Sequence, residues 1–291
     1  MKDIGIEHMQ SPLRPFPHRV RAFTLIEMLV VVAIIGVLAS ILLPSLAIAK
    51  RSAKIHAAQT EVNAILAAIK QYEAEYGSPP CSKDVYTCAA ANSTQPNGCG
   101  DFTFGTAAPN NTVLPGVFTN VLTYGLLPTD SNYKTNNAEV MAILMDLERF
   151  GNGQGTINTN HTRNPHRTVF LDAKQVNDTS SPGVGLDGVY RDPWGNPYII
   201  SLDIDGDGKT VDGFYGALID KFDPDHADPK IAKRFIPGSA LVWSFGPDGK
   251  ISGDPFIPSN VKDAVASDPT KQWRSELKTD VNKDNILSWT P

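Results

Sequence analysis

The pattern of apolar and polar positions divides the chain into unlike parts. From Met28 to Ala49 no side chain is charged, and the run reads MLVVVAIIGVLASILLPSLAIA. At about 1.5 Å rise per residue this is roughly 33 Å of helix, enough to cross the hydrocarbon core of a bilayer. The helical period continues beyond the run but turns amphipathic. Ile48, Ile55, Val62, Ile65, Ile69, Tyr72 and Tyr76 recur at spacings of three, four and seven, with Lys54, Glu61, Lys70 and Glu73 between them. Gly77 and the pair Pro79-Pro80 supply the stop. The pattern predicts one helix over 23–76, about 80 Å long. Its first half (23–49) is apolar enough to face lipid, and its amphipathic second half packs on the rest of the chain.

The remainder loses this long period. Residues 77–168 are rich in Asn, Thr, Gly and Pro and read as a loop-rich insertion with one helix, Ala138 to Phe150. Val140, Met141, Leu144, Leu147 and Phe150 make its apolar face and Gly151 its stop. Residues 169–291 are β-rich, with candidate strands at Val189-Tyr190, Tyr198 to Leu202, Phe214 to Ile219, Ala240 to Phe245 and Ile286 to Trp289. The expected fold class is α+β: a long N-terminal helix packed on a small antiparallel β-sheet head that carries the insertion.

Composition adds limits. The chain has 291 residues with a formal net charge of −5, and its basic residues cluster only beside the apolar run, so no nucleic-acid partner is expected. The three cysteines, Cys81, Cys88 and Cys99, lie in one short segment, which suits an oxidising exterior with one disulfide and one thiol left over. Their spacing is wide and no His lies near them, which argues against zinc.

One charge sits at the start of the apolar run. Glu27 lies between Ile26 and Met28, where an unpaired carboxylate in lipid is costly, so it marks a functional position that needs a partner. The basic residues Arg14, Arg19 and Arg21 stop at Phe23, and Phe23-Thr24-Leu25-Ile26-Glu27 follows directly. Here the sequence resembles the type IV pilin and type II secretion pseudopilin superfamily, whose members carry a basic leader, FTLIE and a long apolar helix. The resemblance implies a leader over 1–22, cleavage by prepilin peptidase between Ala22 and Phe23, and methylation of the new N-terminus. It departs from the family at Ala22, where Gly is usual, and in a long leader holding Asp3 and Glu7, as a start codon placed too early would produce.

Cleavage frees an α-amino group on Phe23 with a reference pKa of about 7.7–8.0. Family filaments pair it with the carboxylate of a neighbouring subunit, here Glu27. In an apolar core such a pair sets register more than stability, because desolvation offsets much of the Coulomb gain. Gly36 and Pro44 match positions between which the family helix melts on assembly; on physics alone they are a tolerated transmembrane kink. The charges flanking the span leave its orientation ambiguous, and the peptidase motif places the leader inside and the body outside.

Further pieces resemble the major pseudopilins of type II secretion: IKQYEAEYGSPP, then RDPWGNPY (Arg191 to Tyr198), WSFGPDGK (Trp243 to Lys250) and DNILSW (Asp284 to Trp289), in the family's order. The resemblance implies a bacterial inner-membrane precursor with a periplasmic head, polymerised with itself and sibling pseudopilins. Prepilin peptidase, an inner-membrane platform protein and a cytoplasmic assembly ATPase are the further partners. The alternatives are a surface type IV pilin and a membrane-anchored calcium-binding protein that never polymerises.

Calcium is the one cofactor expected. Major pseudopilins hold it near the C-terminus, where this chain offers Asp248 and Asp254, then Asp280, Asn282 and Asp284 in alternating D-x-N-x-D spacing, with Asn285 where the family has Asp. A second loop, Asp203, Asp205 and Asp207 with Gly208, matches the first half of an EF-hand. Phe214 takes the place of the bidentate Glu, for which Asp212 is a substitute. The alternative for each loop is a solvated acidic turn. Catalysis is not expected: the six His form no metal-spaced pair, and GVGLDG (Gly183 to Gly188) has the G-x-G-x-x-G letters without a helix to receive a phosphate.

Overall fold

The structure, a computed structural model, describes residues 24–93, 100–105, 136–213, 236–247, 249 and 285–288. Two compact units make up the chain, 1–49 and 50–291. Helix α1 (Leu25–Tyr76) runs through the boundary.

In the first unit α1 is continuous through Gly36 and Pro44. Pro44 has no N–H for the turn below it. Hydroxyls back-bond on either side: Ser40 Oγ donates to Val37 O at 2.7 Å, and Ser45 Oγ donates to Leu42 O at 2.9 Å. The large apolar side chains from Leu25 to Ile48 are about half exposed or more, so none of the described residues buries them. Among the described residues α1 alone is long and apolar enough to cross a membrane. Ile48, expected on the amphipathic face, is 72% exposed and belongs with the apolar run instead.

The second unit is built on the rest of α1. Ala58, Val62, Ile65, Ile69 and Tyr72 are buried at alternating steps of four and three, one stripe of a 3.6-residue helix. Gly77, at φ +68°, ends the helix with its N–H on Glu73 O, a left-handed C-cap that glycine adopts without strain. The stripe joins one core with β1 (Phe102–Phe104), β4 (Ile199–Leu202), β7 (Ala240–Ser244) and β8 (Ile286–Leu287). These strands form an antiparallel sheet in the order β1-β4-β7-β8. Two small ribbons pair β2 (Gly183–Val184) with β3 (Tyr190–Arg191), and β5 (Lys209–Thr210) with β6 (Ile236–Pro237). The expected strand at Phe214 to Ile219 lies outside the described residues.

The insertion is more structured than its composition suggests. It supplies α2 (Lys83–Ser93) and the sheet strand β1, whose phenylalanines Phe102 and Phe104 are fully buried. The helix expected over Ala138 to Phe150 is shorter: α3 is Ala138–Leu144. Asp146 takes φ +54° and breaks it, with its carboxylate held by Asn158 Nδ2 at 2.9 Å and His161 Nδ1 at 2.8 Å. That network outweighs the local period carrying Leu147 and Phe150. At its other end Asn137, fully buried, donates to the carbonyls of Tyr190 and Tyr198 and accepts from Tyr190 N–H, which ties α3 to the strands.

Candidate functional site

The N-terminal site begins with Thr24 and Glu27. Glu27 Oε2 accepts from the Thr24 N–H and hydroxyl, both at 2.8 Å, and Thr24 Oγ1 accepts from Glu27 N–H at 3.3 Å. This is a capping box, in which an N-cap hydroxyl and the side chain three residues on satisfy each other's orphan donors. The carboxylate therefore points back toward the N-terminal end of the helix. Ala22 and Phe23 lie outside the described residues. Gly36 and Pro44 sit in unbroken helix, and a Cβ on Gly36 would meet nothing within 4 Å.

The acidic loops separate into what the structure brings together and what it does not. Asp248, Asp254, Asp280, Asn282 and Asp284 lie outside the described residues. Asn285 is half-buried immediately before β8. In the other loop Asp203 and Asp205 converge, and Asp207 and Asp212 do not. Asp207 is exposed and its Oδ1 accepts from Lys209 N–H at 2.8 Å. Asp212 turns inward, where its Oδ2 accepts from Ser201 Oγ at 2.8 Å and Trp243 Nε1 at 2.9 Å.

The third member of the group is Asp101, from the insertion. Asp101, Asp203 and Asp205 each bring a carboxylate oxygen within 4.8 Å of the others. Strand register explains the meeting. β1 and β4 pair Phe102 with Leu202, so one step outward Asp101 faces Asp203 across the ladder. Like charges directly opposite are destabilising on their own. Asp203 is anchored by the Gly206 and Gly208 N–H groups, at 2.6 and 2.8 Å, which curl the loop and return Asp205 to the group. Asp205 packs on Gly100, where any Cβ would overlap its carboxylate. Asp101 is 4% exposed; its Oδ2 accepts from Val211 N–H at 2.7 Å, and its Oδ1 is buried with no hydrogen-bond partner. Burial, then the charges of Asp205 and Asp203, push its carboxyl up to about 7. Sequence reasoning missed Asp101, because nothing local distinguishes it and its partners lie about a hundred residues on.

The remaining sequence features are structural. In Arg191 to Tyr198, Asp192 Oδ1 accepts from the N–H groups of Trp194 and Asn196 at 2.9 Å, and its Oδ2 accepts from Ser244 Oγ at 2.7 Å. Lys54 Nζ reaches Pro193 O at 2.8 Å and lies 6.0 Å from the half-buried Trp194 ring. GVGLDG forms the β2–β3 turn, closed by Asp187 in a two-pronged pair with the buried Arg191. Cys81, expected among the disulfide candidates, is a free buried thiol, and burial pushes it up to about 12. The side chains of Cys88 and Cys99 lie outside the described residues.

Residues 17–43 match the family model described as the prokaryotic N-terminal methylation motif. No curated protein and no solved structure matches the chain. The matched segment takes in the basic leader end, FTLIE and the first half of the apolar run. That motif is the one at which pilin-like proteins are processed as prepilins, and here it runs into the apolar first half of α1.

Proposed function

We propose that the chain is a pseudopilin of a type II secretion system. It is made as an inner-membrane precursor with a periplasmic head and polymerised into a fibre that drives protein export. One observation carries this reading: a prepilin motif in phase with a helix whose large apolar side chains stay exposed among the described residues. A surface of that size demands lipid before assembly and neighbouring helices after it. Function is then assembly, not turnover. Glu27, which closes on Thr24 in the single chain, exchanges that contact for the Phe23 amino group of a neighbour, and register follows from the exchange. The ordered pieces RDPWGNPY, WSFGPDGK and DNILSW favour the secretion branch over a surface pilus.

Two measurements test the reading. Mass spectrometry of the mature protein should find methylated Phe23 at its N-terminus; an intact leader removes the proposal and favours a static anchor. Deleting the gene should trap exported proteins in the periplasm. Surface filaments lost with export unchanged would instead assign a type IV pilus.

A further inference from the structure

We propose that Asp101, Asp203 and Asp205 bind a divalent cation, calcium by its chemistry, which clamps the insertion's strand β1 to the loop after β4. Three observations meet at this point. Strand register sets Asp101 directly opposite Asp203 at the end of the β1–β4 ladder, a like-charge pair that a cation compensates. Asp101 Oδ1 is buried without a hydrogen-bond partner, in a residue only 4% exposed, and buried polar atoms are seldom left so. Gly100 leaves the space that the Asp205 carboxylate occupies, so the exposed loop closes over the buried pair.

The donor set selects the ion. All three ligands are carboxylates, with no nitrogen or sulfur among them, which suits a hard cation and argues against zinc or copper. Calcium takes six to eight oxygens in flexible geometry, so water at the exposed Asp205 side completes the shell. Magnesium demands a tighter octahedron and is held less well by ligands on two separate segments. The clamp uses none of the residues of the acidic stretch near the C-terminus, and it does not depend on whether the chain builds a secretion fibre or a pilus. Its effect is to fasten β1, an edge strand three residues long, to the sheet.

The test is equilibrium dialysis of the full chain in detergent micelles against calcium near neutral pH, with thermal unfolding of the same samples followed by tryptophan fluorescence. Asp101→Asn and Asp205→Asn should each bind one calcium fewer per chain than the unaltered protein and lose a calcium-dependent rise of several degrees in Tm. Asp254→Asn, in the C-terminal acidic stretch, should keep this site. Asp205 is exposed, so its variant carries the test if Asp101→Asn does not fold. Equal calcium counts in the unaltered protein and Asp205→Asn overturn the proposal, as does an unaltered protein that binds none.

Discussion

The Tyr198 hydroxyl donates to Glu61 Oε2 at 2.5 Å, joining the middle of α1 to the residue just before β4 across 137 positions of sequence. Tyr198 is fully buried and Glu61 half-buried, so this polar contact sits inside an apolar seam, with Glu73 accepting from Ser239 Oγ further along the helix. The contact has a pH signature. Burial raises the Glu61 carboxyl, Asp192 nearby raises it further, and the Tyr198 bond and Lys174 oppose them. A carboxyl raised in the folded state holds its proton more tightly there than in the unfolded chain. Its contribution to stability is therefore complete below about pH 4.3 and is lost as pH rises through the raised value. Urea unfolding between pH 4 and pH 7 should show this loss, and Glu61→Gln should flatten that part of the profile. A profile unchanged by Glu61→Gln would remove the group from the account. Tyr198→Phe should cost about 1–2 kcal/mol at neutral pH, where the carboxylate loses its donor.

Glu27 lies in the exposed first half of α1, and among the described residues its side-chain hydrogen bonds are with Thr24. Glu27→Val should leave membrane insertion and the unfolding of the head unchanged while abolishing filaments, scored by shearing and electron microscopy. Filament yield equal to that of the unaltered protein would show that the carboxylate does not set register.

Asn137 makes three hydrogen bonds in a fully buried position. Asn137→Ala strands the buried Tyr190 N–H and takes a donor from the Tyr190 and Tyr198 carbonyls, of which Tyr190 O keeps the Tyr198 N–H; this should cost about 2–4 kcal/mol in chemical denaturation. Asn137→Asp should do at least as much damage, since a carboxylate has no N–H to give either carbonyl. Two variants within 0.5 kcal/mol of the unaltered protein, about the size of a surface effect, would contradict this.

Cys81 is buried against the head core and its thiol is held neutral at physiological pH. Thiolate is the reactive form, so iodoacetamide should label Cys81 only after unfolding. Peptide mapping without reductant should find no bridge that includes it. A Cys81-linked peptide from native protein would restore the wider set of disulfide candidates.

The parts legible in the sequence are those governed by local period. The apolar run, the stripe from Val62 to Tyr76 and the stop at Gly77 each follow from neighbours within a few residues, and the helix ends where the pattern ends. Strands β4 and β7 were legible for the same reason: Ile199–Leu202 and Ala240–Ser244 are short, continuous apolar stretches bounded by turn residues. The end of α3 was not, because Leu147 and Phe150 keep the helical period while Asn158 and His161, more than ten residues on, draw Asp146 into a left-handed turn. Strand β1 was hidden by its length and by the polar, loop-like composition around it.

The sequence by itself determined a prepilin-type N-terminus, a membrane helix that becomes amphipathic, and a β-rich head, because each is written in contiguous residues whose meaning does not depend on distant ones. Tertiary structure alone decided which carboxylates meet. Asp203, Asp205, Asp207 and Asp212 look alike along the chain, yet Trp243 and Ser201 claim Asp212, Lys209 claims Asp207, and the β1–β4 register brings in Asp101. Spacing along a loop places side chains near one another, but only strand pairing sets two carboxylates face to face and denies one of them water.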